Sequence, residues 1–193
     1  MGEALIPIET RTDEELVSLV LTGEAEVFAH VYERYYSRTY RLAYGMTGRH
    51  ETAEDLTQEV FIRAYQKLAL FAGQSSFATW FYRLAFNHCL NRCKSERRND
   101  RIESYESTPA LLTSALKPMD RTVLQQEVQQ QIHRALFSLK PEQRLVVILK
   151  DIEGLSYEEI AERLNCSTGT LGSQLARARK LLARKLEHLR GTF

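Results

Sequence analysis

The chain has 193 residues, 44% hydrophobic and 26% charged, a globular balance that excludes a disordered polyelectrolyte. Lys plus Arg number 26 against 25 for Asp plus Glu; a net charge of +1 excludes a bulk polycation coating nucleic acid, but not a basic patch offset by an acidic one. No apolar run approaches the roughly 18 residues of a membrane span, Met1 to Thr10 lacks a secretory pattern, and three cysteines cannot all pair within the chain, so a cytoplasmic protein without membrane insertion is expected.

Two-residue apolar alternation is nearly absent and the helical period recurs, so the expected fold is all-α. Asp13 to Thr22 reads as a short helix with Leu16, Leu19 and Val20 on one side, ended by Gly23. Phe28, Val31, Tyr35, Leu42 and Met46 mark one face of a helix between Glu24 and Met46. A third runs from about Glu51 to Leu70 with Leu56, Val60, Ala64 and Leu68 inward. After a short loop, Ser76 is placed to cap a fourth helix reaching about Lys94. Four helices with short connections predict a compact bundle.

Ser95 to Asp120 differs: it holds Pro109 and Pro118, Ser, Thr and Glu, and no sustained period, as a flexible linker would. Beyond it, Leu124, Val128, Ile132, Ala135, Leu136 and Leu139 form a stripe that stops before Pro141. A helix from Glu142 to Asp151 follows, then a short one, Tyr157 to Leu164, capped by Ser156. Asn165-Cys166-Ser167 makes a turn into a last helix from about Gly169 to His188, with Leu171, Leu175, Leu182, Leu186 and Leu189 inward. The organisation is thus two small helical domains, 1–95 and 121–193, joined by a linker at 96–120.

The final two helices are spaced as a helix-turn-helix, a short helix and a tight polar turn leading into a longer basic helix suited to the major groove. From Thr168 to Arg190 there are six basic residues and one acid. Thr168, Thr170, Ser173, Gln174, Arg177, Lys180 and Arg184 are the candidate DNA contacts. On the third helix Asp55, Gln58, Glu59 and Ile62 stand at i, i+3, i+4 and i+7. Spacing alone leaves two readings open, a solvated face or a protein-docking surface anchored by Ile62. The fourth helix carries Phe77, Trp80, Phe81, Tyr82 and Phe86 beside Arg83, Asn87, Asn91 and Lys94. Phe81 and Leu84 are expected in the core, and the remaining aromatic and basic groups suit a surface that stacks unpaired bases. His88, Cys89 and Cys93 fall short of the four ligands of a structural zinc site, so burial is expected for the two cysteines, and Cys166 is expected beneath the recognition helix. No metal, cofactor or catalytic residue is expected: phosphate-loop, paired-His and nucleophile-elbow motifs are all absent from the sequence.

The run Asp55-Leu56-Thr57-Gln58-Glu59-Val60-Phe61, followed by Phe77-Ala78-Thr79-Trp80-Phe81-Tyr82-Arg83-Leu84-Ala85-Phe86-Asn87, resembles bacterial extracytoplasmic-function (ECF, group 4) RNA polymerase sigma factors. The second half resembles them too, in Leu155-Ser156-Tyr157-Glu158-Glu159-Ile160-Ala161 and in Gly169-Thr170-Leu171 leading to Arg177-Ala178-Arg179-Lys180. The resemblance covers nearly the whole chain. It implies an alternative sigma factor that binds core RNA polymerase and directs promoter-specific initiation, the polymerase performing the chemistry. It places Asp55, Gln58, Glu59 and Ile62 on the β′ clamp helices. Phe71, Gly73, Gln74, Ser75 and Ser76 would capture a flipped base of the −10 element. Trp80, Tyr82, Arg83 and Asn87 would assist melting, and the second domain would read the −35 element and meet the β flap. An anti-sigma partner is also implied.

Three places depart from the family's pattern: Gly172 and Gln174, where basic residues are frequent in the recognition helix, and the −10 loop, with Ala72 and Gln74. They imply an altered or weakened −35 preference. Two rival functions follow from the residues, a stand-alone operator-binding regulator and a sigma-like interaction module without initiation activity. The first leaves the acidic stripe and aromatic helix unexplained; the second is favoured only by Gly172 and the unusual loop.

Overall fold

The computed structural model describes residues 7–99 and 123–187. Within them lie eight α-helices and no strand, as expected: α1 (Asp13–Leu21), α2 (Phe28–Thr47), α3 (His50–Lys67), α4 (Phe77–Asn99), α5 (Val123–Phe137), α6 (Pro141–Val147), α7 (Tyr157–Leu164) and α8 (Thr168–Lys185). No helix among the described residues is long and apolar enough to cross a membrane.

Local chemistry sets the helix ends. Thr12 and Ser156 each form a reciprocal capping box, with Glu15 and Glu159 respectively. The Ser156 backbone and hydroxyl bonds hold the Glu159 carboxyl below its ordinary range. Ser76 accepts from Thr79 N–H at 3.2 Å. The Phe77 N–H, unpaired within α4, donates to Glu14 of α1 at 2.9 Å, so a carboxylate from a distant helix sits at the positive end of α4. Gly48 ends α2 in the left-handed region, φ 72°.

Helices α1 to α4 bury the expected stripe, Leu56, Val60, Ala64 and Leu68, against Val31, Tyr35, Leu42 and Met46. Phe77, Phe81 and Phe86 are among the largest fully buried side chains. Buried threonines satisfy their hydroxyls on the preceding turn: Thr39 on the Tyr35 carbonyl and Thr57 on that of Ala53. Cys89 and Cys93 are buried as expected, and burial raises both thiols, Cys93 to about 11.

Four expectations need correction. Helix α4 continues to Asn99, so the first residues assigned to the linker are helical; residues 100–120 of that linker lie outside the described residues. Leu84 is only partly buried, because it lines a surface groove. Ile132 is 41% exposed, since α5 turns only the Val128, Ala135 and Leu136 side inward. The helix expected from Glu142 to Asp151 changes geometry at Ile148, where five residues, Ile148–Ile152, form a π turn closed by Glu153 N–H on the Ile148 carbonyl at 2.9 Å. Leu189 and His188 lie outside the described residues, as does the side chain of Leu124.

The two domains share one apolar core. The run from Leu145 to Leu149, the end of α6 and the start of the π turn, is apolar at every position, because α6 packs on α8 of its own domain and on α2 and α4 of the first. Arg144, 5% exposed, crosses the seam: it donates to the Met46 carbonyl at 2.5 Å and to the Phe137 carbonyl at 3.1 Å, its guanidinium 3.9 Å from the Phe137 ring centre. A hydrogen bond from a charged group such as this contributes about 1.5–3 kcal/mol. Arg41 pairs with Glu153 through two bonds of 2.9 Å, and Lys94 with Glu142 at 2.8 Å.

Candidate nucleic-acid interface

The row of α3 at four-residue intervals reads Asp55, Glu59, Arg63, Lys67, exposed but for the half-buried Glu59, so one side of the helix changes sign along its length. At its acidic end Asp55, Gln58 and Ile62 are exposed, Ile62 at 56%. Glu59 is tied down: His88 Nε2 lies 2.7 Å from one carboxylate oxygen, and Arg92 lies 3.9 Å from the other. The four stripe residues are therefore together on one face, with Glu59 held by α4.

At its basic end α3 forms, with α4, a groove of about 310 Å³. Trp80, Leu84 and Leu70 supply its apolar walls; Arg63, Lys67 and Arg83 its cations; Asn87, His88 and Asn91 its hydrogen-bonding edge. Aromatic area beside several cations is the composition that binds an unpaired strand, stacking bases and holding phosphates. Arg63 and Lys67 were not singled out from the sequence. Their i, i+4 spacing opposite the basic side of α4 was the available signal.

The loop at 71–76 is tied at both ends. The Phe71 ring packs at 5.6 Å on Phe77 and at 5.7 Å on Trp80, and Ser76 and Glu14 cap α4 where the loop enters it. Between these ties Gly73 has φ 67° and, like Gln74, is exposed. Trp80 is half-buried and Asn87 exposed, both on the groove. Tyr82 departs from the expectation of an accessible ring. It is 6% exposed, stacked on Phe86 and beside Tyr35 and Phe81, and burial raises its phenol above the ordinary value. Arg83 lines the groove but is also bonded to the second domain.

In the second domain Asn165, φ 52°, makes the turn between α7 and α8, and Cys166 is half-buried there against the core. Ser167 caps α8 by accepting from Thr170 N–H at 3.1 Å. Leu171, Leu175 and Ala178 are buried, with Leu182 partly so. On other sides of the helix Thr168, Thr170, Ser173, Arg177, Lys180 and Arg184 are exposed and Gln174 is half-buried. Arg179, by contrast, is engaged with Asp151, which raises its already high pKa. Gly172 faces Tyr157: a Cβ built there would meet its Cε1 at 4.0 Å, ordinary contact distance. Among the described residues no cluster of His, Cys, Asp and Glu has the makings of a metal site.

Two family models match the chain, Sigma-70 region 2 over residues 31–99 and Sigma-70 region 4 over residues 129–182. The RNA polymerase sigma-H factor of Pseudomonas aeruginosa is 31% identical over 185 residues, 92% of this chain and 95% of that protein. The ECF RNA polymerase sigma-E factor of Escherichia coli K12 is 34% identical over 191 residues, 94% and 97% of the two chains. Among solved structures, the sigma factor RpoE in complex with the anti-sigma factor NepR from Bartonella quintana superposes with a TM-score of 0.61 at 26% identity, covering 83% of this chain and 96% of that one. CnrH in complex with the cytosolic domain of CnrY shares the fold at a TM-score of 0.65 and 21% identity, over 92% and 99%.

Proposed function

From a chain that belongs to the ECF RNA polymerase sigma factors, and so is an alternative sigma factor directing transcription initiation, we propose the following division of labour among its surfaces. The acidic end of α3, Asp55, Gln58, Glu59 and Ile62, docks on the β′ clamp helices of core polymerase, with Ile62 as the apolar anchor. The loop at 71–76 receives a flipped base of the −10 element, and the groove holds the separated strand. Extruding a base costs a few kcal/mol, which a pocket for it offsets. Trp80 stacks, Arg63, Lys67 and Arg83 neutralise phosphates, and Asn87 reads an edge; Tyr82 supports the helix from behind. In the second domain Thr168, Thr170, Ser173, Gln174, Arg177, Lys180 and Arg184 face the −35 duplex, and Gly172 leaves a gap where a cation would otherwise add a phosphate contact.

The observation that carries this reading is the groove, where cations from α3 meet an aromatic wall from α4 immediately beside a tied, exposed loop. The chain supplies recognition and no catalytic group, and it works in the cytoplasm, where polymerase is. Two solved relatives are held in complexes, one by an anti-sigma factor and one by a cytosolic domain, and a partner of that class is proposed for this chain. The β flap is proposed as the second domain's polymerase contact.

Transcription in vitro with core polymerase on fragmented host DNA, mapping RNA 5′ ends, tests this. New starts sharing two spaced upstream elements, lost with the Asp55→Ala, Glu59→Ala double variant, are expected. Firm core binding without any new start would favour the interaction module instead, and neither starts nor core binding would favour the operator-binding regulator.

A further inference from the structure

His88 of α4 touches both surfaces assigned to the first domain. It lines the groove with Asn87 and Asn91, and its Nε2 lies 2.7 Å from Glu59 Oε2 on α3. A carboxylate only accepts, so the imidazole nitrogen is the donor. The His88 side chain is 12% exposed and that of Glu59 42%, so the donor is held within the helix packing while the acid faces outward. The second oxygen of Glu59 is held less closely. Arg92 stands 3.9 Å from it, beyond hydrogen-bonding range, and directs its Nε to Glu96 at 2.8 Å. Glu59 is thus fixed through one oxygen and offers the other to a donor from outside the chain.

We propose that His88 is a positioning residue for polymerase docking: by donating to one oxygen of Glu59 it holds this acid in the conformation that the clamp helices meet. The proposal rests on the reading of Asp55, Gln58, Glu59 and Ile62 as the docking surface. Asp55, Gln58 and Ile62 stand exposed on α3, whereas the half-buried Glu59 has its conformation set by a second helix. The i, i+4 spacing of His88 and Arg92 along α4 turns both cation-forming side chains toward it. A glutamate free to rotate must be ordered when a partner binds it, and ordering one such side chain corresponds to about a two- to tenfold loss of affinity. The bond from His88 does this ordering before the partner arrives, and so raises affinity without adding a contact to it.

The test is equilibrium binding of the full chain to core polymerase without DNA, so that the groove does not contribute. His88→Leu keeps the bulk and removes the donor, and should weaken binding about fivefold. His88→Asn, whose amide reaches only the Nδ1 position, should weaken it as much. His88→Gln, whose amide reaches the Nε2 position, should bind within about twofold of the wild type. In a Glu59→Ala background, His88→Leu should have no further effect, a non-additivity that a general loss of helix packing would not produce. The asparagine and glutamine variants carry the test if thermal melting shows the leucine variant unfolded. Unchanged or tighter binding by His88→Leu and His88→Asn, or an equal loss in the Glu59→Ala background, would overturn the positioning role. Glu59→Ala binding as tightly as wild type would overturn the docking surface itself, a failure read without touching His88.

Discussion

Replacing Gly172 by alanine should stabilise the protein. The residue lies in the second turn of α8, which runs without interruption from Thr168 to Lys185, and its φ is not positive. Glycine in a helix interior is about 0.8–1.0 kcal/mol less favourable than alanine, because the unfolded chain loses more freedom on ordering. The added methyl meets Tyr157 Cε1 at 4.0 Å, so nothing has to move. The expected gain is about 1 kcal/mol, a rise in melting temperature of about 2–4 °C for a chain of this size. Urea denaturation followed by circular dichroism should show a higher midpoint at unchanged slope. A lower midpoint would refute the reasoning, since it would mean that α8 is not regular at this point or that Tyr157 cannot accept a methyl. Gly172→Arg should keep most of that gain and add a cation beside the −35 face. The salt dependence of duplex binding by the holoenzyme should then steepen by about one phosphate contact, a slope change near 0.9.

The same substitution at Gly48 should have the opposite sign. Its left-handed φ costs alanine about 1–2 kcal/mol, and the new methyl would stand 2.6 Å from Phe137 Cζ and 2.7 Å from His133 Nε2, so the urea midpoint should fall sharply; an unchanged midpoint would show that the cap and seam are not formed. His133, stacked on Phe137, has its pKa lowered by burial and by Arg144. Its neutral form belongs to the folded state, so its stabilisation is complete above the ordinary histidine value and is lost as pH falls below it. The drop in stability between about pH 7.5 and 5.5 should therefore be smaller in His133→Phe, and an identical drop would remove His133 from the account. A thiolate reagent should label Cys166 before Cys89 and Cys93, whose thiols burial raises; equally fast labelling of all three in native buffer would contradict the packing of α4.

What could be read from the sequence was whatever depends on neighbours within a turn or two. The stripes of α2 and α3, the Ser76, Ser156 and turn positions, and the exposed row of α8 all follow from local period and capping chemistry. What could not be read depends on partners far along the chain. Tyr82 looks like a surface ring beside Arg83 until Tyr35 and Phe81 enclose it. A charge such as Arg144 would be placed in solvent by any local rule, yet its acceptors are Met46 and Phe137 across and along the seam. The run from Leu145 to Leu149 has no polar side, and only the presence of neighbours on several sides explains why. The groove is of the same kind: Arg63 and Lys67 belong to it through α4, not through anything on α3. Glu59 reads as a free acid in the sequence and is found bonded to His88.

The π turn at Ile148–Ile152 has a consequence for how the chain tolerates insertion and deletion. An i→i+5 turn holds one residue more than the α-helix it interrupts, so this is the place where a one-residue deletion can be absorbed by reverting to α-helix. The residues on either side would keep their phase, because the residue removed is the one an α-helix does not count. A deletion earlier in α6 has no such slack and would turn everything beyond it by about 100°, one residue's rotation. Asp151 and Glu153 would then leave Arg179 and Arg41, the partners they now hold on either side.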